Sequence, residues 1–137
     1  MKNGLGFGVL IVEDDPDVSS ALSEALTRQG YEVETAGTAE DGLSQLDGGQ
    51  FQLVITDYSL PGQTGVWMLQ EAAKAGLLAA SKVLLMTGDP NPDGVAGLRV
   101  LRKPLDTDLF PREVFEILAP TRVKELEPDQ AEALADN

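Results

Sequence analysis

Cysteine and histidine are both missing from this sequence of 137 residues. Without cysteine there is no disulfide, no thiolate-ligated zinc or iron–sulfur cluster, and no thiol nucleophile. Without histidine the commonest general base is gone, along with the usual zinc sites and any Ser-His-Asp triad. Positive charge is scarce: 10 Lys and Arg stand against 23 Asp and Glu, a net charge of −13. That argues against a nucleic-acid binder or a protein held on an anionic membrane, since both need a positive surface. Long apolar runs are missing too. The longest near the start, Val9–Val12, runs straight into Glu13, Asp14 and Asp15. It is too short for a membrane span and has no small-residue cleavage site, so the expected compartment is the cytoplasm. Any chemistry falls to carboxylates, hydroxyls, Lys and Arg, helped by a hard cation such as Mg²⁺.

What is present suffices for one core. The length suits a single domain, and 42% of residues are apolar. Residues 9–12 form a continuous β-prone run, the pattern of a strand buried on both faces in a parallel sheet. Residues 16–29 then turn helical, with Pro16 in the first turn, Val18, Leu22, Ala25 and Leu26 on one face, and Gly30 as the stop. Strands are expected at 31–36, 51–56, 82–86 and 98–101. Helices are expected after Thr38, over 66–76 and over 108–118, the last with Pro111 in its first turn. Strands alternating with helices point to an α/β domain with a doubly wound parallel sheet. The spacing divides the chain into a lead-in at 1–8, a domain at 9–118 and an acidic tail or linker at 119–137, with a short surface helix expected over 128–136. Between Thr87 and Lys103, the run GDPNPDGVAG holds three Gly and two Pro in ten residues. A parallel crossover normally takes a dozen or more residues including a helix. The fourth helix is therefore expected to be absent or reduced to about one turn, leaving a mobile loop.

Ligands of open parallel sheets bind at the carboxyl ends of the strands. Strand one ends at Glu13 and Asp14, strand three at Asp57, strand four at Thr87 and Gly88, and strand five at Lys103 and Pro104. Any one of these acids, alone, reads most simply as a helix cap or a solvated loop residue, and Asp15 fits that description best. Three carboxylates converging on one point repel unless neutralised, which a divalent cation and an inward Lys would both do. All-oxygen ligation selects Mg²⁺, Mn²⁺ or Ca²⁺ over zinc.

The segments VLIVEDDPDV, LVITDYSLPGQTG, VLLMTGD and LRKP resemble the four signature segments of bacterial response-regulator receiver domains, and the likeness covers about residues 8–118. The resemblance implies a flavodoxin-like (CheY-like) five-stranded sheet of order 2-1-3-4-5. It implies Asp57 as the phospho-accepting carboxylate. The implied metal site is Asp14 ligating directly, Glu13 acting through a water, Asp57, and the backbone carbonyl of Ser59, with Mg²⁺ as the ion and Mn²⁺ as a substitute. Thr87 and Lys103 would contact phosphoryl oxygens, and the Lys103–Pro104 bond would be cis. The donor histidine would come from a histidine kinase or histidine phosphotransfer protein, because this chain has none. A carboxylate is a competent nucleophile towards an activated phosphoryl group, and such transfer needs positioning and charge neutralisation more than proton shuttling. A downstream protein or a fused output domain would read the result, since 119–137 is too short and too acidic for a helix-turn-helix.

Two departures from the family concern output. The interval from Thr87 to Lys103 is short, and Val100 stands where receivers commonly carry a ring that swings inward. The switch candidates are then Thr87, Gly88, Val100 and Pro104, with phosphorylation expected to order the 88–97 loop through Thr87. Tyr58 and Trp67 flank the loop after Asp57 as a site-edge residue and a partner contact, or as ordinary packing. A non-phosphorylated pseudo-receiver acting as a protein-binding module is the alternative function. An aspartyl phosphatase would need a second acid where Ser59 stands. A flavin protein would need a phosphate-binding loop where EDDPD stands.

Overall fold

The computed structural model describes residues 7–124, with side chains described as far as Ala119. Its elements are β1 (Gly8–Val12), α1 (Pro16–Arg28), β2 (Glu32–Ala36), α2 (Ala39–Gly48), β3 (Leu53–Asp57), α3 (Gly65–Lys74), β4 (Lys82–Thr87), β5 (Arg99–Arg102) and α4 (Phe110–Lys124). The five strands pair in parallel in the order β2-β1-β3-β4-β5, the order that the receiver resemblance implies.

The central strands are apolar on both faces because both faces are covered. Val9, Ile11, Leu53, Ile55, Leu84 and Met86 meet α1 and α4 on one side. Leu10, Val12, Val54 and Leu85 meet α2 and α3 on the other. Each fully buried Val, Leu or Ile contributes about 1.5–3 kcal/mol, so these two layers carry most of the stability. β2 lies at an edge and keeps Glu32 and Glu34 exposed; charges on an edge strand discourage pairing with another chain. No helix among the described residues is long and apolar enough to cross a membrane.

Side chains end and start the helices. Asp15 accepts from the amides of Asp17 and Val18, Thr38 from Asp41, and Thr64 from Trp67. Asp15 is thus the helix cap that its position suggests. Some boundaries differ from the sequence reading. β2 begins at Glu32, because the Tyr31 amide still closes the helix by donating to the Leu26 carbonyl at 3.2 Å. β3 extends to Asp57, whose backbone remains in register with Met86 of β4. The last helix starts at Phe110, after Asp106 has accepted from the amides of Asp108 and Leu109. Its backbone continues to Lys124, six residues beyond the expected end at 118. The helix expected over 128–136 lies outside the described residues.

Between β4 and β5 the crossover helix, the fourth that the alternation of strands and helices would place in the chain, is reduced to turns at 93–94 and 96–97. Gly94 at φ 75° takes a left-handed conformation that a side chain would resist, and a Cβ there would press on Val66 Cγ1 at 3.3 Å. The short crossover predicted from spacing and composition is what forms.

Candidate functional site

The sheet register brings the site together. Val12 lies opposite Thr56, so Glu13 and Asp57 leave neighbouring strands side by side. The Glu13 amide donates to the Ala36 carbonyl at 2.9 Å, holding the chain extended one residue past β1. On the other side, the Lys103 amide donates to the Thr87 carbonyl at 2.9 Å, which aims the Lys103 side chain back across the strand ends. Its ammonium nitrogen lies 2.8 Å from Glu13 Oε1 and 2.7 Å from Asp57 Oδ1. Glu13 and Asp57 are 3% and 4% exposed, whereas Asp14 is open to solvent. Carboxylate oxygens of Glu13, Asp14 and Asp57 lie within 4.8 Å of one another, a spacing that suits a divalent cation.

Charge in this pocket is unbalanced. Burial, together with the hydrogen bond and negative charge of Glu13, pushes Asp57 up to about 7 despite the opposing pull of Lys103. Burial also pushes Glu13 upward. Its hydrogen bonds with Asp57, Lys103 and the Asp15 amide, and the Lys103 charge, outweigh that and hold it below its ordinary value. Burial disfavours the Lys103 ammonium, but the two carboxylates more than compensate and raise it. One ammonium faces two buried carboxylates, so near neutral pH Asp57 is the group that takes up a proton. A divalent cation would supply the missing positive charge without the proton.

The other predicted residues fall around this centre. Thr87 is buried, and its Oγ1 accepts from the Asp89 amide at 2.9 Å, which leaves its hydroxyl proton free to donate. Gly88 is exposed, and a Cβ built there would lie 4.0 Å from Lys103 Cβ. Ser59 is exposed in the loop after Asp57. Val100 is half-buried and packs on the α2–α3 core. The Lys103–Pro104 bond is cis. Trp67 is half-buried against the same core, so ordinary packing accounts for it.

Three features escape sequence reading. A Cβ on Gly65 would overlap the Asp57 carbonyl oxygen and come within 2.9 Å of Thr56 Oγ1. Gly65 is therefore what lets α3 start against the end of β3. The Arg102 guanidinium donates to the carbonyls of Asp89 and Pro90. The Tyr58 hydroxyl accepts from the Asp93 amide at 3.0 Å, 35 residues away. The loop read from composition as mobile thus carries defined anchors. Only the position of Gly65 at a helix start and of Tyr58 beside Asp57 could have hinted at them.

Comparisons with known proteins agree with this geometry. The family model for the response regulator receiver domain matches residues 9–108. The transcriptional regulatory protein TcrA of Mycobacterium tuberculosis is 31% identical over 113 residues, covering 78% of this chain and 44% of TcrA. The chain spans half or less of the length of the curated relatives it matches. Among solved structures, the receiver domain of the hybrid histidine kinase CckA superposes with a TM-score of 0.71 at 30% identity, covering 81% of this chain and 98% of that one. The response regulator TrrA of Thermotoga maritima, in complex with Mg²⁺–BeF, does so with a TM-score of 0.72 at 28% identity, covering 82% and 99%. On sequence, sheet order and the acidic pocket together, the chain belongs to the response regulator receiver domain family.

Proposed function

We propose that this chain is a phosphorylatable receiver that takes a phosphoryl group on Asp57 from a phosphohistidine of a histidine kinase or histidine phosphotransfer protein. The observation that carries the reading is the position of Lys103. Its ammonium is shared between Glu13 and Asp57, in a pocket where a third carboxylate, Asp14, is close enough to join them around a cation.

An all-oxygen donor set fits Mg²⁺, with Mn²⁺ as a substitute. Asp14, Asp57 and the Ser59 carbonyl would hold the ion, with Glu13 acting through a water, and when bound it would neutralise the transferring phosphoryl oxygens. Asp57 attacks as the carboxylate. The new bond joins one of its Oδ atoms to phosphorus, the donor's N–P bond breaks, and the electron pair stays on the imidazole nitrogen. Lys103 is placed to follow negative charge from the Asp57 carboxylate to a phosphoryl oxygen. The free hydroxyl proton of Thr87 donates to another. The acyl phosphate is later cut by water, which returns Asp57 to the carboxylate. The chain thus turns over only its own phosphoryl group.

An apolar groove of about 530 Å³ beside the acidic pocket is where we place the donor, as a helix. Val18, Ala21 and Leu22 of α1 line one side, and Pro104 and Leu105 the other, with Lys103 at the edge shared with the acidic pocket. A donor helix seated there would present its phosphohistidine towards Asp57.

Intact-mass measurement after incubation with Mg²⁺ and acetyl phosphate, and separately with a phosphorylated histidine phosphotransfer protein, tests the reading. A single phosphoryl adduct that needs Mg²⁺ and disappears in Asp57→Asn is expected. No adduct from either donor, or an adduct that survives Asp57→Asn, would overturn it in favour of a non-phosphorylated binding module.

A further inference from the structure

The segment that replaces the fourth helix is tied at both ends to the candidate acceptor site. At one end, Thr87 Oγ1 accepts from the Asp89 amide at 2.9 Å. At the other, the Tyr58 hydroxyl accepts from the Asp93 amide at 3.0 Å. Tyr58 directly follows Asp57, and its backbone is fixed there: its amide donates to the Met86 carbonyl at 2.8 Å, and its carbonyl accepts from the Gly65 amide at 3.1 Å.

Between these two ties runs Asp89-Pro90-Asn91-Pro92-Asp93, which is stiff for its length. Two prolines fix φ at two of the five positions and restrict the residues before them. Asp89 Oδ1 accepts from the Asn91 amide at 2.9 Å, closing a turn around Pro90. Arg102 donates to the carbonyls of Asp89 and Pro90, which ties these two residues to one another through a single guanidinium. Such a segment does not absorb a displacement at one end by local flexing; it passes it to the other.

We infer that residues 89–93 act as a strut between Thr87 and Tyr58, and that the Tyr58–Asp93 hydrogen bond holds the segment in the arrangement belonging to Asp57 as a free carboxylate. Tyr58 is a positioning residue in this scheme. The inference rests on the receiver reading, in which the Thr87 hydroxyl turns towards a phosphoryl group on Asp57. That turn pulls on the Asp89 amide. The stiff strut carries the pull to Asp93 and opens the bond to Tyr58. Val100, packed in the core without a ring, offers no alternative aromatic relay at β5. Coupling is reciprocal, so a bond that opens on phosphorylation also opposes phosphorylation.

Beryllofluoride with Mg²⁺, a phosphoryl mimic, is the probe. Its affinity is measured by titration, and exchange of the Asp93 amide is followed by NMR with and without it. In the wild type, Asp93 is expected to be protected without the probe and exposed at saturation. Tyr58→Phe keeps the ring and removes only the acceptor oxygen. Its Asp93 amide should exchange freely in both states, and it should bind the probe about fivefold more tightly, the size of one hydrogen bond's net contribution. Pro92→Gly softens the strut but keeps the Tyr58 bond, so Asp93 should stay protected even at saturation. Unchanged probe affinity in Tyr58→Phe, unchanged Asp93 protection in the wild type, or wild-type release in Pro92→Gly would each overturn the strut alone. A wild type that binds no probe would overturn the strut and the receiver reading together.

Discussion

The Lys103 ammonium lies 2.7 Å from Asp57 Oδ1, and among the described residues it is the one cation placed against two carboxylates that are almost fully buried. Removing it leaves like charges facing each other out of water. Lys103→Met should therefore destabilise the cation-free protein by about 2–4 kcal/mol at pH 7, below the full cost of an orphaned buried charge because Asp57 can protonate. Urea unfolding in EDTA measures it. Adding Mg²⁺ should restore part of the loss, because the ion supplies positive charge at the same carboxylates.

The pH dependence of stability has a definite sign. Asp57 is raised from an ordinary 3.8 to about 7, so the folded protein holds a proton that the unfolded chain releases. Its contribution is fully present below pH 3.8 and is lost as pH rises through about 7. Glu13 is lowered, so its contribution is present above its ordinary 4.5 and is lost in acid. Lys103 is raised, so its contribution holds until pH passes above its ordinary 10.5. Across the window from about 4 to 7, Asp57 therefore sets a downward slope in the absence of divalent cations. Asp57→Asn should remove that slope and be more stable than the wild type at pH 7.5 by roughly 1–2 kcal/mol in EDTA. Urea midpoints measured across this pH range check both statements. A wild-type stability that rose with pH there would contradict the charge balance described for the pocket.

The sequence exposes the elements whose identity is decided locally. β1 and β3 read as buried strands because Val9–Val12 and Leu53–Ile55 are unbroken apolar runs that end at or just before an acid. Asp15 reads as a cap because it precedes a proline-led helix. The acids, Thr87 and Lys103 read as one site because parallel topology sends all strand ends to the same edge. The shortened crossover is legible because Gly and Pro crowd an interval too small for a helix. Contacts set by the third dimension are not legible. Nothing near Tyr58 in the chain names Asp93 as its partner, and the spacing of Arg102 does not show that its guanidinium reaches two carbonyls in the loop before its strand. The register of β3 at Asp57 is invisible for the same reason: an acid ends the apolar pattern while the backbone pairing with Met86 continues.

Gly65 offers a test of packing beneath the site. A Cβ there would overlap the Asp57 carbonyl oxygen, so either the start of α3 or the end of β3 must move. Gly65→Ala should cost more than about 2 kcal/mol despite the better helix propensity of Ala. Gly48, at the end of α2, has nothing within 4 Å of a built Cβ and no positive φ. Gly48→Ala should be neutral or stabilising by up to about 1 kcal/mol. Thermal and urea unfolding of the two variants side by side separate close approach from simple backbone entropy.

Asp14 and Asp15 are adjacent and both exposed, yet they face different tasks. Asp14 offers an oxygen to the cluster with Glu13 and Asp57, while Asp15 spends its carboxylate on the amides of Asp17 and Val18. Asp14→Asn keeps the shape and removes one of three negative charges, so Mg²⁺ affinity should fall by about tenfold or more, since ligand charge count sets affinity for hard cations. Asp15→Asn keeps a good helix cap and removes a charge outside the ligand set, so affinity and stability should stay close to wild type. Isothermal titration with Mg²⁺ reads the affinities directly. The melting temperature at fixed Mg²⁺ reads them independently, because an ion that binds only the folded state stabilises it in proportion to the logarithm of its saturation ratio. Equal losses in the two variants would mean that general acidity around α1, rather than the Glu13–Asp14–Asp57 cluster, attracts the ion.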